Sequence, residues 1–168
     1  MMTTKELSLL DKPEFVSTLD GIFEHSPWVA EHAWEKRPFG SRDELLAALC
    51  ESMQQADRML QKRLVCAHPE LAGKAAVRGE LTAESTREQA GARLDACTPE
   101  EFERLQSLNE AYRAKFGFPF ILAVRGLDRT QIIERFAERL NHDSEDEFQE
   151  ALRQIERIAR LRLEERFA

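Results

Sequence analysis

Six times along this chain, a side chain able to accept a hydrogen bond from a free backbone amide is followed three residues later by Glu or Gln. The pairs are Asp11/Glu14, Ser41/Glu44, Ser85/Glu88, Thr98/Glu101, Asp128/Gln131 and Ser144/Glu147. This is the pattern of a capped helix start, where the first backbone amides have no intrahelical acceptor. At Thr98 the next residue is Pro99, whose fixed φ and missing N–H suit the first helical position. Apolar residues recur behind these starts at helical spacing. One set is Leu45, Leu46, Leu49, Met53, Ala56 and Leu60; others are Phe102, Leu105, Leu108 and Tyr112, and Ile132, Ile133, Phe136 and Leu140. The 168 residues include only 7 glycines and 6 prolines, too few turn formers for an extensive sheet protein. The expected fold is all-α: a single compact bundle of roughly seven or eight helices, forming one domain over residues 1–168. No repeat or low-complexity linker divides it.

Charge narrows the function classes. Acidic residues number 31 against 24 basic, a net charge of -7, and 18 of the basic residues are Arg. That balance argues against a nucleic-acid partner, which leaves a basic footprint. No apolar run approaches the ~20 residues that span a bilayer, so no membrane partner is expected. The opening MMTTKELSLLDKPEF lacks the apolar stretch and cleavage site of a secretory signal, giving a cytoplasmic expectation. Cys50, Cys66 and Cys97 are an odd number without a CxxC pair. They read as reduced, buried small hydrophobes, neither a disulfide framework nor a zinc site.

Two stretches break the helical rhythm. AHPELAGKAAVRGELTAES is interrupted by Pro69, Gly73 and Gly79. FGFPFILAVRG is an apolar run between Gly117 and Gly126 that would suit a buried strand, yet nothing else in the chain offers a partner strand. Its backbone N–H and C=O groups need partners, either a ligand or neighbouring helix ends.

Four features carry possible chemistry. His68 ends a helical run just before Pro69, where the helix dipole favours its charged form; the ordinary alternative is that it satisfies terminal carbonyls. Ser85, Glu88 and Gln89 read first as a capping box, although the same helix start could hold a polar, partly anionic ligand. Arg162 falls on the apolar stripe of Phe148, Ala151, Leu152, Ile155, Ile158, Ala159 and Leu163, whereas Arg153, Arg157 and Arg160 point away. A guanidinium there needs an acid partner or an anionic ligand, unless its stem packs inward and its head reaches solvent. His25 and His32 could share a helix face, but no third ligand accompanies them and no metal is expected. His142 reads as a surface residue.

Taken together, FEHSPWVAEHAW, RPFGSRDELLAAL, AHPELAGK, LTAESTREQAG, FERLQSLNEAYRAKFGFPFILAVRG and ALRQIERIARLRL resemble the 2-oxo-4-hydroxy-4-carboxy-5-ureidoimidazoline (OHCU) decarboxylases over about residues 11–166. The resemblance implies a cofactor-free all-α enzyme, usually a homodimer, that converts the small molecule OHCU to (S)-allantoin and carbon dioxide in urate degradation. It further implies that His68 is the catalytic histidine and Glu88 its acidic partner. Pro69, Ser85 and Gln89 match substrate-contacting positions, and Phe120, Ile121, Leu122, Ala123 and Val124 match a segment whose backbone meets the substrate. Arg162 matches a C-terminal arginine. Relatives that carry a peroxisomal SKL-type ending contrast with ERFA here, which again points to the cytoplasm.

Three other classes are distinguishable. Hydrolysis of hydroxyisourate, the preceding intermediate, would call for a β-rich architecture. A helical interaction domain would use FGFPFILAV to dock a partner without accelerating OHCU decay. A metal enzyme built on His25 and His32 would lose activity in chelator.

Overall fold

A computed structural model describes the backbone of residues 1–168 and every side chain except those at positions 74 and 75. Ten α-helical segments follow in order: α1 (Thr4–Ser8), α2 (Lys12–Thr18), α3 (Trp28–Ala33), α4 (Arg42–Gln55), α5 (Arg58–Ala67), α6 (Lys74–Val77), α7 (Ala83–Gly91), α8 (Pro99–Phe116), α9 (Arg129–Arg139) and α10 (Ser144–Arg166). Seven of them are seven residues or longer; the three shorter ones raise the count above the seven or eight expected. Among the described residues there is no strand, only an isolated bridge between Met2 and Phe167. The fold class is all-α.

Four of the six expected caps are in place. Asp11, Ser41, Thr98 and Asp128 each accept from the amide three residues on, and Thr98 and Asp128 complete reciprocal boxes with Glu101 and Gln131. Thr3 and Glu6 form a further reciprocal box that the sequence reading missed. Two expected caps are displaced. At α7 the cap is Thr82, whose Oγ1 accepts from Ser85 N at 3.2 Å. At α10 it is Asp143, whose Oδ1 accepts from Asp146 N at 2.8 Å. An earlier acceptor has captured the free amides in both places, so Ser85 and Ser144 lie inside their helices.

Other expectations need correction. Leu60 does not continue the helix of Leu45 to Met53: α4 stops at Gln55, and Asp57 starts α5 by accepting from Leu60 N at 2.9 Å. All three cysteines are free thiols, but none is buried. Cys66 is exposed, on the outer face beside the buried Leu64 and Val65, and Cys50 and Cys97 are half-buried. Partial burial nevertheless pushes the Cys50 thiol up to about 12, with Glu156 adding to the shift.

The helices fall into two compact units, one of Met1–Ala67 with Glu156–Ala168, the other of His68–Ile155. In the first, Leu7, Phe15, Val29, Leu45, Leu49, Met53, Leu64, Ala159 and Leu163 are buried. The Phe15 and Phe39 rings stack at 5.8 Å, and Ser52 Oγ donates to Val29 O at 3.0 Å. In the second, Tyr112 centres an aromatic cluster. Its ring meets Phe116, Phe118, Phe120 and Phe136 at centroid distances of 4.5 to 5.9 Å, and Phe120 stacks on Phe136 at 3.9 Å. Burial of several such rings supplies most of the local drive to fold.

Candidate active site

His68 opens the second unit, one residue beyond the end of α5, and is 6 % exposed. The chain then runs through Pro69, Glu70, Leu71 and Ala72 to Gly73 without regular structure before α6. Ala72 takes a positive φ of 50°, which a non-glycine residue adopts only when its surroundings hold it there. Gly73 is packed so closely that an added Cβ would lie 2.8 Å from the Glu70 Cβ. Such a tight path needs its polar backbone groups satisfied, and side chains do this.

Gln89 is the main clasp. Its Oε1 accepts from Ala72 N at 3.0 Å, while its Nε2 donates to Glu70 O at 3.3 Å. Two residues of α8 complete the hold: Gln106 Nε2 donates to Ala72 O at 2.7 Å, and Asn109 Nδ2 donates to Leu71 O at 3.0 Å. Arg113, one turn further along α8, pairs with Glu70 at 3.1 Å. The loop after His68 is thereby tied to α7, the helix that carries Ser85, Glu88 and Gln89. Ser85 and Gln89 are buried and Glu88 is half-buried. Since Thr82 does the capping, neither Ser85 nor Glu88 is explained by the capping box.

The 120–124 segment lies in the same unit and is buried except at Ala123, which is half-buried. Gly117 ends α8 in the left-handed region at φ 77°, where a Cβ would be strained, and turns the chain into the apolar run. The expected absence of a partner strand holds among the described residues. Two of its backbone groups are taken by side chains instead: Arg139 Nη1 donates to Ile121 O at 2.6 Å, and Gln154 Oε1 accepts from Ala123 N at 3.0 Å.

Arg139 is itself held in a buried network. Its Nε donates to Glu147 Oε1 at 2.9 Å, and its guanidinium lies 4.4 Å from the centre of the Phe120 ring. Glu147 is 0 % exposed and also accepts from Tyr112 OH at 2.5 Å. Burial, and then the bond to Glu147, push the Tyr112 hydroxyl pKa up, so it stays a donor. His142 is exposed, as expected of a surface residue, and its Nδ1 lies 2.9 Å from Glu147 Oε2, so it meets a buried carboxylate from the outside. Glu147, read from sequence as part of a cap, is the hub of this network.

Arg162 belongs to the first unit. It is 3 % exposed and has the acid partner that its place on the apolar stripe demands: Nη2 lies 3.0 Å from Glu24 Oε1, and Nη1 donates to Gly21 O at 2.7 Å. The remaining histidines do not converge. His25 precedes α3, in a loop with φ 46°, and His32 stacks edge-on against Trp28. Among the described residues no group of three or more candidate metal ligands exists.

Gln106, Asn109, Arg139 and Gln154 were not singled out from sequence. A signal existed for two of them. Arg139 follows Ile132 and Phe136 at helical spacing, and Gln154 lies between Ala151 and Ile158 on a buried face, the same kind of polar intrusion that marks Arg162.

Residues 8–164 match the family model described as OHCU decarboxylase. The chain is 42% identical over 164 residues to the 2-oxo-4-hydroxy-4-carboxy-5-ureidoimidazoline decarboxylase of Halalkalicoccus jeotgali, covering 98% of this chain and 91% of that protein. It is 40% identical over 163 residues to the uric acid degradation bifunctional protein PucL of Bacillus subtilis, covering 97% of this chain and 32% of that one. The crystal structure of an (S)-allantoin synthase superposes with a TM-score of 0.81 at 32% identity, over 100% of this chain and 54% of that chain.

Proposed function

The chain belongs to the OHCU decarboxylase family, carboxy-lyases that act in urate degradation and yield allantoin, and from that premise we propose that His68 and Glu88 are the acid–base pair of the reaction. The observation that carries this reading is the Gln89 amide, which fastens the loop after His68 to the helix bearing Glu88. OHCU has a carboxylate and a hydroxyl on one ring carbon, next to a ring C=N. When carbon dioxide leaves, the electron pair of the broken C–C bond passes into the conjugated ring. The hydroxyl on that carbon loses its proton to become the ring carbonyl, and one proton must reach one face of the adjacent carbon, the former C=N carbon that bears the ureido group. His68 and Glu88 handle the hydroxyl and ring-carbon protons, and delivery from a single side makes the product (S)-allantoin. Pro69 and Ser85 border the same loop and helix and contact the substrate. Gln89 adds a substrate contact to its clasp, and the Phe120–Val124 backbone meets the ureido and ring amides.

The electron sink is in the substrate, so the reaction runs without cofactor or metal, and turnover persists in chelator. Holding of the departing carboxylate by Arg162 is a separate proposal that rests on the resemblance alone. Binding that charge too tightly would stabilise the ground state and slow the reaction. The enzyme works as a cytoplasmic homodimer.

The test uses freshly generated OHCU, with decay followed by ultraviolet absorbance and allantoin stereochemistry by circular dichroism. His68→Asn and Glu88→Gln should each lower stereoselective turnover by ~10²–10⁴, the usual worth of a positioned general acid or base. Far-ultraviolet circular dichroism should stay that of the wild type. Wild-type rates in either variant would refute the pair.

A further inference from the structure

Along an extended chain, the N–H and C=O of one residue point to the same side, and neighbouring residues alternate. Residues 119–124 run without turn or bend. Ile121 C=O and Ala123 N–H, two residues apart as groups on one edge of an extended segment would be, are both taken, by Arg139 Nη1 at 2.6 Å and Gln154 Oε1 at 3.0 Å. Each holder is anchored in turn. Arg139 Nε is on Glu147, and Gln154 Nε2 donates to Glu150 Oε1 at 2.9 Å. All of these groups lie in the second unit.

We propose that Arg139 and Gln154 are positioning residues that fix the odd-numbered edge of this segment, so that the Leu122 edge presents its N–H and C=O to a cyclic amide or ureido group. Such a group offers one N–H donor beside one C=O acceptor and matches a single residue's pair. A slip by one residue would exchange the two edges and remove the match. The purely packed alternative is a segment held by its rings alone, for which Phe120 and Phe136 would suffice. Two polar side chains on alternate residues add orientation that rings cannot give. This inference rests on the decarboxylase reading, because it assumes that the segment meets the substrate.

Steady-state kinetics on OHCU, with (S)-allantoin binding by calorimetry, tests the proposal. Gln154→Leu should raise KM and the allantoin Kd about fivefold, the size of one net hydrogen bond, with kcat within about twofold. Gln154→Asn keeps the amide but falls one methylene short, and should give the same rise if the leucine variant does not fold. The exchange Glu150→Gln with Gln154→Glu returns an acceptor to Ala123 N–H and a donor to its neighbour, and should restore KM to within about twofold. Arg139→Lys keeps the charge beside Glu147 but lacks the fork that also reaches Ile121 O, and should raise KM in the same direction. Unchanged KM and Kd in the Gln154 variants, or a fall in kcat alone, would overturn the positioning role while leaving the activity standing. A wild-type protein that fails to speed OHCU decay would instead overturn the reading beneath it.

Discussion

The second unit contains two irregular stretches, and they are held by different means. The loop from His68 to Gly73 is bound chiefly by neutral amides: Gln89, Gln106 and Asn109 meet its backbone, with Arg113 on the Glu70 side chain. The 117–124 run is bound by rings and by a buried charge pair, Arg139 with Glu147. Neutral amides give direction to a chain at modest energy, since each net hydrogen bond is worth about 1 kcal/mol. A buried ion pair adds little when intact but is expensive to break, because the surviving charge cannot be rehydrated. The loop beside His68 should therefore tolerate substitution thermodynamically and suffer chemically, whereas the apolar run should suffer chiefly in stability, with only modest changes in KM.

The largest expected effect follows from removing Glu147. Glu147→Ala leaves the Arg139 guanidinium buried without its carboxylate and the Tyr112 hydroxyl without its acceptor. A loss of about 3–5 kcal/mol in unfolding free energy is expected from denaturant titration. A loss under about 1 kcal/mol would mean that the aromatic cluster alone holds the run, and the contrast between the stretches would fail.

Asn109→Leu probes the other side at smaller cost. Leucine is close in volume, and the change strands Leu71 O while also removing Asn109 Oδ1, a buried oxygen without a hydrogen bond among the described residues. The two effects partly cancel, so the stability loss should be about 1 kcal/mol. Turnover should fall more than this suggests, because the loop carrying His68 loses a tether. Thermal unfolding and kcat measured on one preparation separate the effects. A stability loss as large as that of Glu147→Ala would erase the distinction drawn here.

How much of this was legible beforehand depends on the kind of signal. Period and capping are local, so the helices, the all-α class and the buried face of α10 could be read directly, Arg162 included. The break at Asp57 was missed because Ala56 and Leu60 happen to continue an apolar spacing across it. Motif resemblance supplied the proposal of His68 and Glu88 as a pair, which spacing alone left ambiguous. The holders of the two stretches were illegible for another reason. Gln106 and Asn109 are ordinary polar residues on a helix, and their roles arise from backbone groups 34 and 38 positions away. Nothing in a one-dimensional pattern announces which carbonyl a distant amide will meet. Glu147 was misread because a glutamate three residues after serine fits a cap, and only the presence of Asp143 as a competing acceptor redirects it.

The start of α7 offers the finest test of the same contrast. Thr82 and Ser85 are both hydroxyl residues at capping distance from a later amide, and the geometry assigns the cap to Thr82. Thr82→Ala should therefore cost about 1 kcal/mol of stability, the usual worth of a side-chain cap, with little change in kcat. Ser85, inside the helix and buried, should behave oppositely: Ser85→Ala removes no cap, improves intrinsic helix propensity slightly, and should lower turnover or raise KM at nearly constant stability. Measuring unfolding and OHCU turnover for the two alanine variants side by side gives a crossed result if the assignment is right. Were Ser85→Ala the one to destabilise the protein while Thr82→Ala stayed silent, the cap would belong to Ser85, and its place beside Glu88 would need no substrate to explain it.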